Sequence, residues 1–471
     1  MRYHLMGVGG VGMAAVAELL RAAGHDVSGC DGKDSPTLAR LAGLGVATMV
    51  GHDPAHLDGI DRLVVSSAIK ADNPELAAAR AAGLEVWHRS QALAALGRDR
   101  RLVAVAGAHG KTSTSAMAAV ALEAAGVDPG YAIGAEVLGK GTGAHLGTGP
   151  AMVIEADESD GSFLRYGPEI AVVTNVEPDH LDYYGTAEAL YQAFRDFAGT
   201  VRPNGWLIAC ADDPGARELV AWAVGEPRPW HVLTYGFEAG TDVHLVELPG
   251  TAEFPVRFEL VVRAGAGFDL PAGLVIELPV AGRHQALNAA AALLAAVAAG
   301  AEPGAAARGL ATYQGTGRRF EARGTACGVR VFDDYAHHPT EIMATLAAAR
   351  AAAGEGRVLV VFQPHLYSRT RDFADQFAAA LSQADRAWVL DVYGAREEPL
   401  PGVTSALITD RMDPAKGVPA GDGSVVPDLV AALARPGDLV LTMGAGDVTE
   451  LGRPIVAALA RRDQAEQGVA P

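Results

Sequence analysis

The chain has 471 residues, 49% of them apolar, and a formal net charge of −18. That length suits roughly three domains of about 150 residues each. Such acidity excludes a general nucleic-acid binder, which needs a basic face. No apolar run approaches the ~20 residues of a membrane helix, so no membrane insertion is expected. Met1 leads almost at once into a glycine turn, and no signal peptide is expected. Cys30, Cys210 and Cys327 lie too far apart for a disulfide framework or a cysteine-rich metal site. The expected compartment is the reducing cytoplasm.

Residues 1–96 alternate short apolar strands (4–8, 25–30, 62–66) with alanine-rich helices such as 13–23. The turn Gly7-Val8-Gly9-Gly10-Val11-Gly12 has the form of a dinucleotide fingerprint. Asp31 ends the second strand where a ribose-binding carboxylate would sit. The same glycines would also serve plain strand–helix packing. A short charged linker, residues 97–101, opens a second segment that runs to about residue 315. Its apolar runs 152–155, 170–175 and 206–210 predict a mostly parallel buried sheet. The alternating stretch 230–280 predicts antiparallel strands attached to that sheet, and 288–299 predicts an alanine/leucine helix. From about residue 316 a third α/β unit follows, with strands at 329–332, 358–362, 387–390 and 439–443. The last ten residues read as a frayed polar tail.

Chemistry concentrates at strand ends. Gly107-Ala108-His109-Gly110-Lys111-Thr112-Ser113-Thr114 follows an apolar run and opens a helix. Backbone N–H groups there can cradle phosphate, Lys111 can reach the terminal phosphates, and Thr112 can ligate Mg²⁺. A hydroxyl acting as an ordinary N-cap is the alternative. Glu155-Ala156-Asp157-Glu158-Ser159-Asp160 ends a buried strand, with Glu155 and Asp157 expected on one face and Glu155 a candidate metal ligand. His180 leaves the next strand end and is a second candidate, so two Mg²⁺ ions could share a γ-phosphate. In the third segment Asp333, Asp334, Tyr335, His337 and His338 follow a strand. An aspartate on ribose and a histidine near a reacting amine suit that run better than a metal does. Arg369 and Arg371 offer a guanidinium clamp for an amino-acid carboxylate.

Several of these motifs occur together and in order. They are the first glycine turn, the Gly-Ala-His-Gly-Lys-Thr loop, Glu-Ala-Asp-Glu-Ser-Asp-Gly-Ser-Phe, Gly282-Arg283-His284-Gln285-Ala286-Leu287-Asn288, Asp-Asp-Tyr-Ala-His-His-Pro-Thr-Glu and Phe-Gln-Pro-His-Leu-Tyr-Ser-Arg-Thr. As a set spanning nearly the whole chain they resemble the Mur ligases. The resemblance implies an α/β fold of three domains. These are a Rossmann-like UDP-binding domain (1–96), a central P-loop-type ATPase domain with a mostly parallel sheet (97–315) and a Rossmann-like amino-acid-binding domain (316–471).

The activity it implies is ATP-dependent ligation of L-alanine to the lactoyl carboxylate of UDP-N-acetylmuramate. An acyl phosphate is the intermediate, and ADP and phosphate are released in peptidoglycan synthesis. A ligase that returns an intact peptide to the same sugar is the alternative. Mg²⁺ is implied, as two ions, with Mn²⁺ able to substitute. The chain would be a monomer or homodimer.

Carried onto these residues, Gly107, His109, Gly110, Lys111, Thr112 and Ser113 would cradle the phosphates. Thr112 with Glu155 would hold the first ion, and His180 the second. Asn288 would read adenine, with His284 near the base, Arg319 near the phosphates and Asp334 on the ribose. Gly9, Gly10, Val11 and Gly12, with Asp31, Ser66 and Ser67, would meet UDP. Tyr335, His337, His365 and Arg369 would surround L-alanine. Lys111, Glu155, His180 and His337 would carry the catalysis, with His180, His337 or water taking the amine proton. Leu366 stands where many relatives carry Arg, which leaves Arg369 as the main carboxylate partner. No lysine occurs between residues 181 and 205, so no carbamylated lysine is expected.

Overall fold

The computed structural model describes residues 1–395 and 397–466. They form two compact units, one of residues 1–280 with 285–314 and one of 281–284 with the chain from 315 onward. Within them lie three sheets, each built mainly of parallel strands with α-helical crossovers.

The amino-terminal sheet has the order Ala47–Val50, Asp26–Asp31, Arg2–Met6, Arg62–Val65, Glu85–His88, all parallel. The chain reverses its winding direction about Arg2–Met6. A crevice therefore opens outside the carboxyl ends of that strand and of Arg62–Val65. The first glycine turn and Ser66 stand at those ends.

The central sheet has ten strands. Its middle is parallel, from Val243–Leu248 through His231–Gly236, Trp206–Cys210, Ile170–Val173, Arg101–Ala106 and Ala151–Glu155 to Gly130–Val137. Antiparallel strands extend it at both edges: Val256–Val262 and Leu274–Leu278 on one side, Thr142–His145 on the other. The stretch 230–280 therefore corrects the expectation in part. His231–Gly236 and Val243–Leu248 continue the parallel sheet, and only the two strands after them run antiparallel. Nothing in their alternation distinguishes the two modes, because each strand buries one face either way.

Strands buried on both faces explain the continuous apolar runs, since Leu102 through Ala106 and Ala151 through Ile154 are wholly enclosed. The helix Arg283–Ala298 begins five residues before the expected 288 and is buried along Ala289 to Ala296. A helix that is apolar all round belongs in a core, and alanine lets it approach its neighbours closely. One apolar cluster runs from Leu5, Val16 and Leu19 of the amino-terminal sheet layer to Ile154, Phe163 and Phe197 of the central one. Two sheets thus share a continuous core, which makes them one compact unit.

The third sheet has the order Glu321–Ala326, Val329–Asp334, Leu439–Met443, Val358–Phe362, Arg386–Val389, Gly417–Pro419, parallel except for its first, antiparallel edge strand. The tail expectation is corrected: the helix Gly452–Glu466 covers the first five of the last ten residues, and the final five lie outside the described residues. Among the described residues no helix is long and apolar enough to cross a membrane.

Candidate active site

The helix Lys111–Ala124 starts directly after the strand Arg101–Ala106 and its turn. Gly110 occupies its N-cap position at φ 83°, with no side-chain cap. The hydroxyls of Thr112 and Ser113 therefore do not serve as N-caps, and the first-turn N–H groups keep their partial positive charge for an anion. Two glycines make the cradle possible. A methyl on Gly107, at φ 134°, would stand 2.1 Å from Thr174 Oγ1, and one on Gly110 would stand 2.6 Å from Asn288 Oδ1. His109 is fixed through its backbone, which donates to Asn175 Oδ1 at 2.8 Å and accepts from Asn175 Nδ2 at 3.0 Å.

Thr112 Oγ1 donates to Glu155 Oε1 at 3.0 Å, while the other Glu155 oxygen accepts from Gly134 N at 2.7 Å. Two oxygen donors thus meet at the end of the strand Ala151–Glu155, a donor set that fits a hard cation such as Mg²⁺. Asp157, expected on the same face as Glu155, meets Arg89 Nη2 at 3.2 Å. Lys111 Nζ donates to both Glu158 oxygens at 2.9 Å and to Gly107 O at 2.6 Å. Burial works against the Lys111 ammonium, but Glu158, Asp157 and Glu155 outweigh it and hold its pKa well above the usual value. Burial pushes the Glu158 carboxyl up to about 7 against the pull of Lys111. His180, in a left-handed conformation at φ 53°, brings Nε2 to 3.6 Å from Glu158 Oε1.

The amino-terminal turn is joined to this constellation. Asp31 Oδ2 accepts from Gly9 N at 2.9 Å, so this carboxylate pins the turn. Gly10 caps the helix Val11–Ala22 without any side-chain bond, and Val11 is exposed beside it. Ser67 Oγ donates to Asp160 Oδ2 at 2.7 Å, and His88 Nε2 lies 3.6 Å from the same oxygen. A methyl on Gly12 would stand 2.6 Å from Arg89 Nη1, so Arg89 spans from the first turn to Asp157.

The second compact unit brings another group of expected residues together. Rings of Tyr335 and His337 lie 5.2 Å apart, those of His337 and His365 5.8 Å, and those of His365 and Tyr393 5.8 Å. The guanidinium groups of Arg318 and Arg319 lie over Tyr335, and Arg319 pairs with Glu341 at 3.6 Å. His337 Nδ1 meets Tyr335 O at 3.0 Å. A carbonyl only accepts, and Glu341 Oε2 lies 3.1 Å from the same nitrogen, so Nδ1 carries a proton and the lone pair of the neutral ring is on Nε2. His338 points elsewhere, capping the helix Pro339–Ala353 and packing on Phe373.

Asp334 is buried and spends its oxygens on Phe320 N, Ala336 N and Thr345 Oγ1, at 2.8, 2.9 and 3.1 Å; burial raises its pKa. Arg369 is 6% exposed in the helix Tyr367–Asp372, which follows Leu366 at φ 68°. His284 is half-buried. Burial, then the charge of Arg319, lowers its pKa to about 4, so its ring stays neutral at physiological pH.

Three family models cover the chain in succession. "Mur ligase family, catalytic domain" matches residues 2–101, "Mur ligase middle domain" 105–296, and "Mur ligase, glutamate ligase domain" 318–446. The chain belongs to the Mur ligase family. A curated relative from Kineococcus radiotolerans named UDP-N-acetylmuramate–L-alanine ligase is 56% identical, over 98% of this chain and 97% of its own. The solved UDP-N-acetylmuramate–alanine ligase of Thermotoga maritima is 26% identical at a TM-score of 0.76, covering 99% of this chain and 100% of that one. A murein peptide ligase from Psychrobacter arcticus is 25% identical at 0.71, covering 98% and 99%.

Within this Mur ligase, sequence reasoning missed Glu158 as the partner of Lys111, Arg89 as the bridge from the first turn, and Tyr393 as the stacking partner of His365. Glu158 stood inside a motif already singled out, and its place beyond a buried strand end was the available signal. Arg89 and Tyr393 carried none, because their partners are distant in sequence.

Proposed function

We propose that the chain joins L-alanine to the lactoyl carboxylate of UDP-N-acetylmuramate at the expense of ATP, through an acyl phosphate, releasing ADP and phosphate. The observation that carries the reading is the meeting of Lys111, Thr112 and Glu155 at one uncapped, glycine-opened helix start. The near-full-length relative named for that reaction supports the choice of substrates. We assign residues 1–96 to UDP binding, 97–315 to ATP and 316–471 to the amino acid, in a cytoplasmic monomer or homodimer.

In this reading the Lys111 ammonium exchanges Glu158 for the β- and γ-phosphates. Gly107, Gly110 and Ser113 offer backbone N–H groups to the same anion, while the His109 N–H stays on Asn175 Oδ1 and braces the loop. Thr112 and Glu155 would hold one Mg²⁺ and His180 a second, with Mn²⁺ as a substitute; the metal supplies charge neutralisation between triphosphate and carboxylate. Asn288, beside Gly110, is suited to the adenine, with neutral His284 near the base. Arg319 would serve the phosphates and Asp334 the ribose. Asp31 holds the glycine turn of Gly9, Gly10, Val11 and Gly12 in shape for the UDP diphosphate, with Ser66 and Ser67 at its side. Arg369 would clamp the L-alanine carboxylate between Tyr335 and His365. His337, through Nε2 of its neutral ring, would take the proton that the amine sheds. Acceleration then rests on alignment and charge stabilisation.

The test is phosphate release from ATP with UDP-N-acetylmuramate and, in turn, L-alanine, glycine, L-serine or a tripeptide. Release with L-alanine is expected. Preference for the tripeptide would instead select the peptide-recycling reaction, and release needing neither sugar nor amine would overturn the ligase reading.

A further inference from the structure

Beneath the amino-terminal sheet lies a cluster that the ligase chemistry does not use. His4 comes from the strand Arg2–Met6, Cys30 from Asp26–Asp31, His56 from the short 3₁₀ turn Pro54–Leu57, and Glu75 from the first turn of the helix Pro74–Ala81. One ligand-type atom from each lies within 4.8 Å of all the others. His4, Cys30 and Glu75 are fully buried. We propose that His4, Cys30, His56 and Glu75 form a structural Zn²⁺ site, separate from the ATP-linked metal positions.

The hydrogen bonds around His4 carry the argument. Ser28 Oγ donates to Tyr3 O at 3.3 Å and meets His4 Nδ1 at 2.8 Å. When the Ser28 proton stays on Tyr3 O, the Ser28 oxygen accepts from His4 Nδ1, and Nε2 of the neutral ring carries a lone pair. Glu75 Oε1 lies only 2.8 Å from that nitrogen. Two electron-rich atoms at such a distance repel each other unless a positive charge lies between them.

His56 Nδ1 approaches the same oxygen at 3.4 Å. His4 Nε2, His56 Nδ1 and Glu75 Oε1 are all buried and have no aligned hydrogen-bond partner. The other Glu75 oxygen lies 3.2 Å from Cys30 Sγ, which is itself 3.3 Å from His52 Nδ1. A single divalent cation held by His4, Cys30, His56 and Glu75 would give His4 Nε2, His56 Nδ1 and Glu75 Oε1 a common partner.

The donor set selects the metal. Two imidazoles, a thiolate and a carboxylate make a closed, mixed N/S/O site, which suits Zn²⁺ and not the all-oxygen preference of Mg²⁺. Thiolate and carboxylate together neutralise the ion's two positive charges. The Ser28 contact to His4 is the outer hydrogen bond that commonly orients a ligating histidine. Bound there, the ion ties the Pro54–Leu57 turn and the Pro74–Ala81 helix to two central strands. It would also steady the strand end from which Asp31, next to Cys30, holds Gly9.

The test is elemental analysis of the full chain purified without chelator, with Co²⁺ exchange as a spectroscopic reporter. About one zinc per chain is expected, with a near-ultraviolet thiolate-to-Co²⁺ band after exchange. Cys30→Ser abolishes the band, and both Cys30→Ser and the milder, more peripheral His56→Ala lose the zinc while retaining wild-type circular dichroism. Zinc retained in both variants would overturn the assignment. So would a wild-type protein that holds no zinc and takes none up in a titration against a chelating dye. His4 Nε2 would then carry a hydrogen facing Glu75.

Discussion

Lys111 illustrates how one side chain carries two states. Its ammonium is anchored by Glu158 and two loop carbonyls at the place where a triphosphate would compete for it. Lys111→Ala is expected to abolish phosphate release while binding of the UDP-sugar, measured by calorimetry, stays close to wild type. Near-normal turnover would remove the phosphate-loop assignment.

Glu158 makes a second prediction. Its folded pKa of about 7 lies above the ordinary 4.5, so between those values the folded chain keeps a proton that the unfolded chain has lost. The contribution to stability is complete below 4.5 and disappears as pH rises through about 7. Glu158→Gln should therefore flatten that part of the decline in a urea-midpoint series, and an unchanged slope would refute it. Lys111, Thr112 and Glu155 were legible in the sequence because each residue type stands where a strand meets a turn. The Lys111–Glu158 contact was not, because it joins residues 47 apart and needs the sheet order to bring them together.

At the scale of elements, the helix start Lys111–Ala124 depends on the left-handed Gly110. Gly110→Ala places a methyl 2.6 Å from Asn288 Oδ1 and adds about 1–2 kcal/mol of backbone strain. Nucleotide affinity is expected to fall about tenfold or more, as a strain of this order would produce. The UDP-sugar affinity should change little, and equal loss of both would show a general unfolding instead. Long buried strands were legible by their apolar runs. The edge strands Ala47–Val50, Glu85–His88 and Gly417–Pro419 were not, because three or four residues with a wet face carry too little periodicity to stand out. The hairpin of Gly130–Val137 and Thr142–His145 was also missed; its glycines and polar residues read as loop, and pairing at the sheet edge overrides that.

For the whole molecule, length and motif order pointed to three α/β segments, and three sheets are present. Composition could not reveal that the first two share a core. Leu5, Val16 and Leu19 belong to the same apolar cluster as Ile154 and Phe197, while the residues from 315 onward build clusters of their own around Phe362 and Val440. Cooperative unfolding follows shared cores, so calorimetry should resolve two transitions and not three. A ligand that binds only the folded form stabilises it by about 2.7 kcal/mol at a hundredfold excess over its Kd. UDP-N-acetylmuramate without ATP should therefore raise the transition of the larger unit by several degrees and leave that of the smaller one nearly in place. Since the amino-terminal turn and the phosphate loop melt together, the gain should reach both, and hydrogen exchange in the helix Lys111–Ala124 should slow with the sugar alone. Protection confined to residues 1–96 would mean that the first sheet opens independently of the central one.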